Sequence, residues 1–109
     1  MLVSHLAYER KAGNRYLVLS RRPRPFTCEA CAFSFGTEYG HKFADYIQVH
    51  HLNPVSGGAR APRHRDFALL CANCHAMAHW RMKRRPRSVA ELRRLRKAAG
   101  RLKAAAIAT

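Results

Sequence analysis

A chain of 109 residues has room for one hydrophobic core and at most a trailing element, so a second full domain is excluded. Twenty-one lysines and arginines stand against six acidic residues, a formal charge of +15 that opposes compaction unless a polyanion or counterions offset it; a nucleic acid is the leading candidate partner. Hydrophobic residues at 48% are too many for a disordered basic tail, and no run approaches the roughly 18–20 apolar residues of a membrane span or a signal-peptide core, so the expected location is the cytoplasm.

From Tyr8 to Ser20 the sequence is weakly helical, with Gly13 a weak point and Pro23 and Pro25 marking the end. Residues 1–25 read as a basic N-terminal helical extension. The first cysteine pair, Cys28 and Cys31, is followed by Phe33, Phe35, Tyr39 and Phe43, aromatics expected to pack into a small core. Asp45–Leu52 alternates β-favouring residues and predicts a strand ending in His50 and His51. Asn53–Pro62 is a Gly- and Pro-rich loop. Phe67–Leu70 predicts a short buried strand leading into Cys71, and Cys74–Met82 a helix stopped by Pro86. Ser88 and Glu91 form a capping box at the start of a last helix, whose Leu92, Leu95, Ala99 and Leu102 share a stripe among basic residues. Residues 80–109 hold eleven basic side chains and one acidic one, most of the field of the molecule.

Two groups carry metal chemistry. In a reducing compartment Cys28, Cys31, Cys71 and Cys74 are ligands rather than disulfides, and two Cys-x-x-Cys pairs supply the four thiolates a structural zinc prefers. A redox role would need one such pair at a helix start within a βαβ pattern, which is missing. His75 and His79, four apart on a helix, share one face, and His50 at the strand end can complete a set of three imidazoles with an open position for water or a phosphate oxygen. His5, His41 and His64 read as solvent-facing or phosphate-contacting side chains.

The stretch Cys28-x-x-Cys31, Val49-His50-His51-Leu52, then Asp66 through Cys71-Ala72-Asn73-Cys74-His75-x-x-x-His79 resembles the HNH endonucleases, and within them the branch found in modified-cytosine-dependent (McrA-like) restriction enzymes. The likeness runs from about Phe26 to Trp80 and reproduces the family spacing from His51 through position 66 to His75. It implies a small α+β fold, a ββα-metal (HNH, His-Me finger) core at residues 26–82 stapled by a four-cysteine zinc knuckle, with a basic amphipathic helix at 83–109. It also implies one catalytic divalent ion (Mg2+, Mn2+, Ni2+ or Zn2+) held by His50, His75 and His79, and His51 as the base that activates water. The family's middle asparagine falls on Asp66, which has no amide to donate and would brace the loop by accepting backbone amides, or leave that to Asn73. A second departure is Gln48, where relatives often carry glutamate; no catalytic role is assigned to it.

The reading is thus a metal-dependent HNH endonuclease acting on DNA, of restriction or mobile-element type. It would be a monomer or homodimer off the membrane, with any base-reading domain or protein separate from it. Arg81, Lys83, Arg84, Arg85 and Arg87 are candidates for phosphates flanking the scissile one, and Arg60, Arg63 and Arg65 for support of the transition state. The rivals are a non-catalytic zinc-knuckle nucleic-acid-binding protein and a ribosomal-type RNA-binding zinc protein, which leaves the histidine spacing without a purpose.

Overall fold

Two four-residue strands form the centre of the computed structural model, which describes residues 11–52 and 62–108. Strand β1 (Gln48–His51) and strand β2 (Phe67–Leu70) pair antiparallel, with Val49 opposite Leu69 and His51 opposite Phe67. Every residue of β2 is buried, as a run of four apolar residues between two layers requires. Helix α1 (Ala12–Leu19) buries Val18 with Phe26, Ile47, Val49, Phe67 and Leu69. Leu70 belongs to a second cluster with Cys28, Cys71 and Cys74, Ala78 of helix α3 (Ala72–His79) and Leu92 of helix α4 (Val89–Ala108). A short helix α2 (Phe35–Tyr39) and a 3-10 turn (His41–Phe43) join the cysteine hairpin to β1.

The ββα core is therefore as expected, while several boundaries differ. The first strand begins at Gln48, not Asp45, because Tyr46 N–H is turned back to Phe43 O at 3.1 Å. Helix α3 starts earlier, at Ala72, because the Cys71 sulfur accepts from Cys74 N–H at 3.4 Å and so serves as its N-cap. It stops at His79, before Met82, as the chain turns through Arg81 at φ 59°. Of the expected N-terminal helix, residues 8–10 lie outside the described residues, and its observed part ends at Leu19. The capping box forms, with Glu91 N–H donating to Ser88 Oγ at 3.1 Å and Ser88 N–H to Glu91 Oε1 at 3.2 Å.

The structure resolves the α4 stripe and corrects the aromatic group. On the α4 stripe only Leu92 is buried; Leu95 is 54% and Leu102 73% exposed. The cause is length. Helix α3 has eight residues, about 12 Å, and cannot cover a 20-residue helix of about 30 Å. The aromatic group divides: Phe33 and Phe35 are half-buried against the second cluster, but Tyr39 and Phe43 face solvent.

Candidate active site

The four cysteines converge although two of them lie some forty residues from the others. Their sulfurs all fall within 4.8 Å of one another, with Cys31 Sγ and Cys71 Sγ 3.7 Å apart. Cys28 O accepts from Ala32 N–H and Cys28 N–H donates to Phe33 O, both at 2.8 Å, closing the turn of the first pair; Ala32 takes φ 67° to allow it. The second pair opens α3. Burial, and then the neighbouring Cys28, pushes the Cys74 thiol well up, and burial also raises Cys31. At Cys28 the same burial is outweighed by hydrogen bonds from the backbone of Cys71, Ala30 and Cys31, so its thiol is lowered. Three crowded sulfurs around one readily ionised thiol suit a divalent cation, in whose field all four can lie as thiolates. The residues fit a structural zinc.

The second group lies on the α3 side of the sheet. His50 projects from β1, one residue before the strand ends, and His75 and His79 come from successive turns of α3. The three rings meet edge to face with centroids 5.0–5.2 Å apart, and one nitrogen of each lies within 4.8 Å of the others. Three imidazoles this close, without a carboxylate among them, suit a borderline divalent ion that retains open positions. His50 is fully buried, and the two helix histidines are half-buried.

His51 is not part of that triangle. Alternation along β1 turns it to the opposite face, where its ring lies against Phe67 at 5.1 Å between centroids and is 3% exposed. Asp66 holds the end of this strand. Its carbonyl accepts from Leu52 N–H at 2.9 Å, and its carboxylate oxygen Oδ2 accepts from Arg63 N–H at 2.8 Å. The residue at the family's asparagine position thus ties together the two chain segments that flank residues 53–61, by accepting rather than donating.

The basic candidates separate by environment. Arg65, Lys83, Arg84 and Arg85 are exposed, Arg81 lies with its guanidinium 5.3 Å from the Trp80 ring, and Arg63 makes an ion pair with Asp66 at 3.7 Å. Arg60 lies outside the described residues, as does His5. Arg87 differs from the other candidates: its Nη1 donates to Met77 O at 2.6 Å and Trp80 O at 2.7 Å, and its own N–H to Ala78 O at 2.8 Å. It caps the C-terminus of α3, where carbonyls lack helical partners, and so is engaged with the protein through Nη1.

Residues that spacing did not reveal hold the site from outside. Arg22 donates to Phe67 O at 3.0 Å and His64 O at 3.3 Å, and pairs with Glu29 at 3.5 Å. His64 Nδ1 lies 3.0 Å from the same guanidinium; partial burial, with Arg22, Arg21 and Arg65 nearby, lowers its pKa. Glu29, between the first two cysteines, accepts from Leu69 N–H through its side chain at 2.9 Å and donates its own N–H to Leu69 O at 2.8 Å. Long-range partners, backbone and side-chain, distinguish these residues, and no local motif marks them.

A comparison with protein-family models matches residues 28–81 to the HNH endonuclease model, a span that includes both cysteine pairs, β1, β2 and α3. Residues 28–81 are an HNH endonuclease domain. No curated protein and no solved structure matches the chain. HNH proteins are generally nucleases, so the domain belongs to a nuclease family. The four-cysteine group and the three-histidine group both fall within the matched span.

Proposed function

We propose that this HNH domain is a metal-dependent endonuclease that hydrolyses phosphodiester bonds in DNA, as part of a restriction or mobile-element system in the cytoplasm. The observation that carries the reading is the triangle of His50, His75 and His79, three ligand nitrogens brought together by a strand and a helix within a fold already held by four cysteines. A divalent ion bound there supplies positive charge against the phosphate and the leaving oxygen. His51 is assigned the proton: set against Phe67 on the other face of β1, its imidazole accepts one from the attacking water once the strand end turns it toward the ion. Asp66 positions His51 by holding Leu52, the next residue, and by restraining Arg63 across the loop. Arg65, Arg81, Lys83, Arg84 and Arg85 bind phosphates around the scissile one without reading bases.

The test is plasmid relaxation. Purified protein is incubated with supercoiled DNA and Mg2+, Mn2+, Ni2+ or Zn2+, beside His51→Ala and His75→Ala. Nicking by the parent and its loss in both variants is expected. Intact plasmid under every ion would favour the non-catalytic nucleic-acid-binding reading.

A further inference from the structure

Four aromatic side chains between α2 and β1 play no part in the site described above. Phe35 forms a half-buried floor, edge-on to Tyr46 at 4.7 Å and stacked at 22° with Tyr39 at 6.2 Å. Tyr39 is 68%, Tyr46 50% and Phe43 42% exposed. The four rings line an open groove of about 380 Å³, within the roughly 300–1,000 Å³ range of ligand pockets. Buried rings contribute strongly to a core and exposed ones do not, so folding accounts for Phe35 and leaves the exposure of the other three unexplained.

The groove is built on a braced backbone. Gly40, at φ 118°, makes the reversal between α2 and the 3-10 turn that carries Phe43. A side chain at Gly36 would place its Cβ 2.8 Å from Ala44 Cα, so the two aromatic-bearing turns are in direct backbone contact. Phe26 N–H in turn donates to Ala44 O at 3.3 Å.

The lining selects its occupant. A second copy of the chain would bring another +15 charge against this one. The lining is neutral and aromatic, and Lys42 Nζ lies over the Phe43 ring, 5.2 Å from its centroid. Asp45 is taken up by an ion pair with Arg24, and Glu38 is exposed. Flat apolar surfaces with a cation at the edge suit a flat neutral ring carried on a phosphate chain, which is a nucleobase. Bases inside a duplex have their faces covered by neighbours, so an unpaired or extruded base fits and a paired one does not. The groove also leads to the histidines. Gln48 Nε2 donates to Tyr46 Oη at 3.0 Å, and Gln48 shares its face of β1 with His50, roughly 7 Å further along.

We propose that Phe35, Tyr39, Phe43 and Tyr46 form a stacking groove for an unpaired nucleobase, so that the substrate is a nucleic acid with a single-stranded segment beside the cleavage site. This deepens the nuclease reading and rests on it. The test uses the full chain without added divalent ion and a single-stranded oligonucleotide containing 2-aminopurine, whose fluorescence is quenched on stacking, beside a duplex of the same sequence. Quenching by the parent and at least a roughly tenfold loss of single-strand affinity in Tyr39→Ala/Phe43→Ala are expected, with duplex affinity changed less than about twofold. Tyr39→Phe should retain binding, and both variants should melt with the parent because these rings are exposed. Equal single-strand binding by parent and double variant overturns the groove while leaving the nuclease reading in place. Binding to neither DNA form overturns both. Concentration-dependent dimerisation abolished by the double variant would show a second copy to be the occupant, and so overturn the proposal.

Discussion

Replacing Arg87 separates a structural arginine from a phosphate-binding one. Its guanidinium donates at 2.6 and 2.7 Å to two carbonyls at the end of α3, and the variant Arg87→Ala leaves both without that donor while keeping the backbone bond to Ala78. Hydrogen bonds from a charged donor contribute about 1.5–3 kcal/mol when well buried. Here one half-buried nitrogen serves both acceptors and water can replace part of the loss, so about 1–2 kcal/mol in total is expected. For a domain of this size that lowers Tm by about 4–15 °C, read by circular dichroism. His79 sits in the last turn of α3, so divalent-ion affinity measured by calorimetry should weaken as well. The slope of log DNA affinity against log salt should stay as in the parent. Arg84→Ala should do the opposite, melting with the parent and reducing the slope by about 0.9, the amount for one lost phosphate contact. If Arg87→Ala melts with the parent and takes about 0.9 from the slope, the capping argument is wrong.

Cys71→Ser removes a sulfur that serves the zinc group and caps α3, and should yield protein without bound zinc or a native circular dichroism spectrum; a zinc-loaded, cooperatively melting variant would refute the assignment. His51→Ala should preserve zinc content and divalent affinity while reducing plasmid nicking by about 10²–10⁴-fold, whereas His75→Ala should weaken divalent binding first, with partial rescue at high ion concentration. Phe67→Ala opens a cavity beneath both Val49 and His51, and should cost about 3–5 kcal/mol in chemical denaturation. His64 has a lowered pKa in the folded chain, so the unfolded state takes up a proton first; stability should decline as pH falls below about 6.5 and level off once folded His64 is protonated. Comparing melting curves of His64→Gln and the parent across pH 7.5 to 5 isolates that contribution.

Both candidate ligand groups are legible in the sequence because metal chemistry demands particular residue types at helix-compatible or knuckle-compatible spacings. Cys28, Cys31, Cys71 and Cys74 converge, as do His50, His75 and His79. The strand Phe67–Leu70 was equally plain, since four apolar residues ahead of a cysteine have one use in so small a core. What failed to show were tertiary choices. Arg87 looks like its neighbours Arg84 and Arg85 until the chain folds back and sets it against the end of α3. Leu95 and Leu102 have the period of a buried face, and only the shortness of α3 leaves them exposed. The aromatic residues after the first knuckle look like core in the sequence because composition counts rings and says nothing of which side they face.

Glu29 closes an edge. In a two-stranded ladder the outward N–H and C=O of Leu69 are open to any strand that passes, and Glu29 satisfies both, one through its carboxylate and one through its amide. Its own carbonyl accepts from Arg93 of α4 at 2.7 and 2.9 Å, so the plug is itself anchored. Glu29 keeps its place because Cys28 and Cys31 on either side belong to the metal group. Stripping zinc from a loaded chain would therefore do more than loosen a knuckle: it would uncover an apolar strand ready to pair with the same strand of another molecule. The metal-free chain should be lost to edge-to-edge aggregation at a rate that rises steeply with protein concentration, and zinc restored after that point should recover little of it.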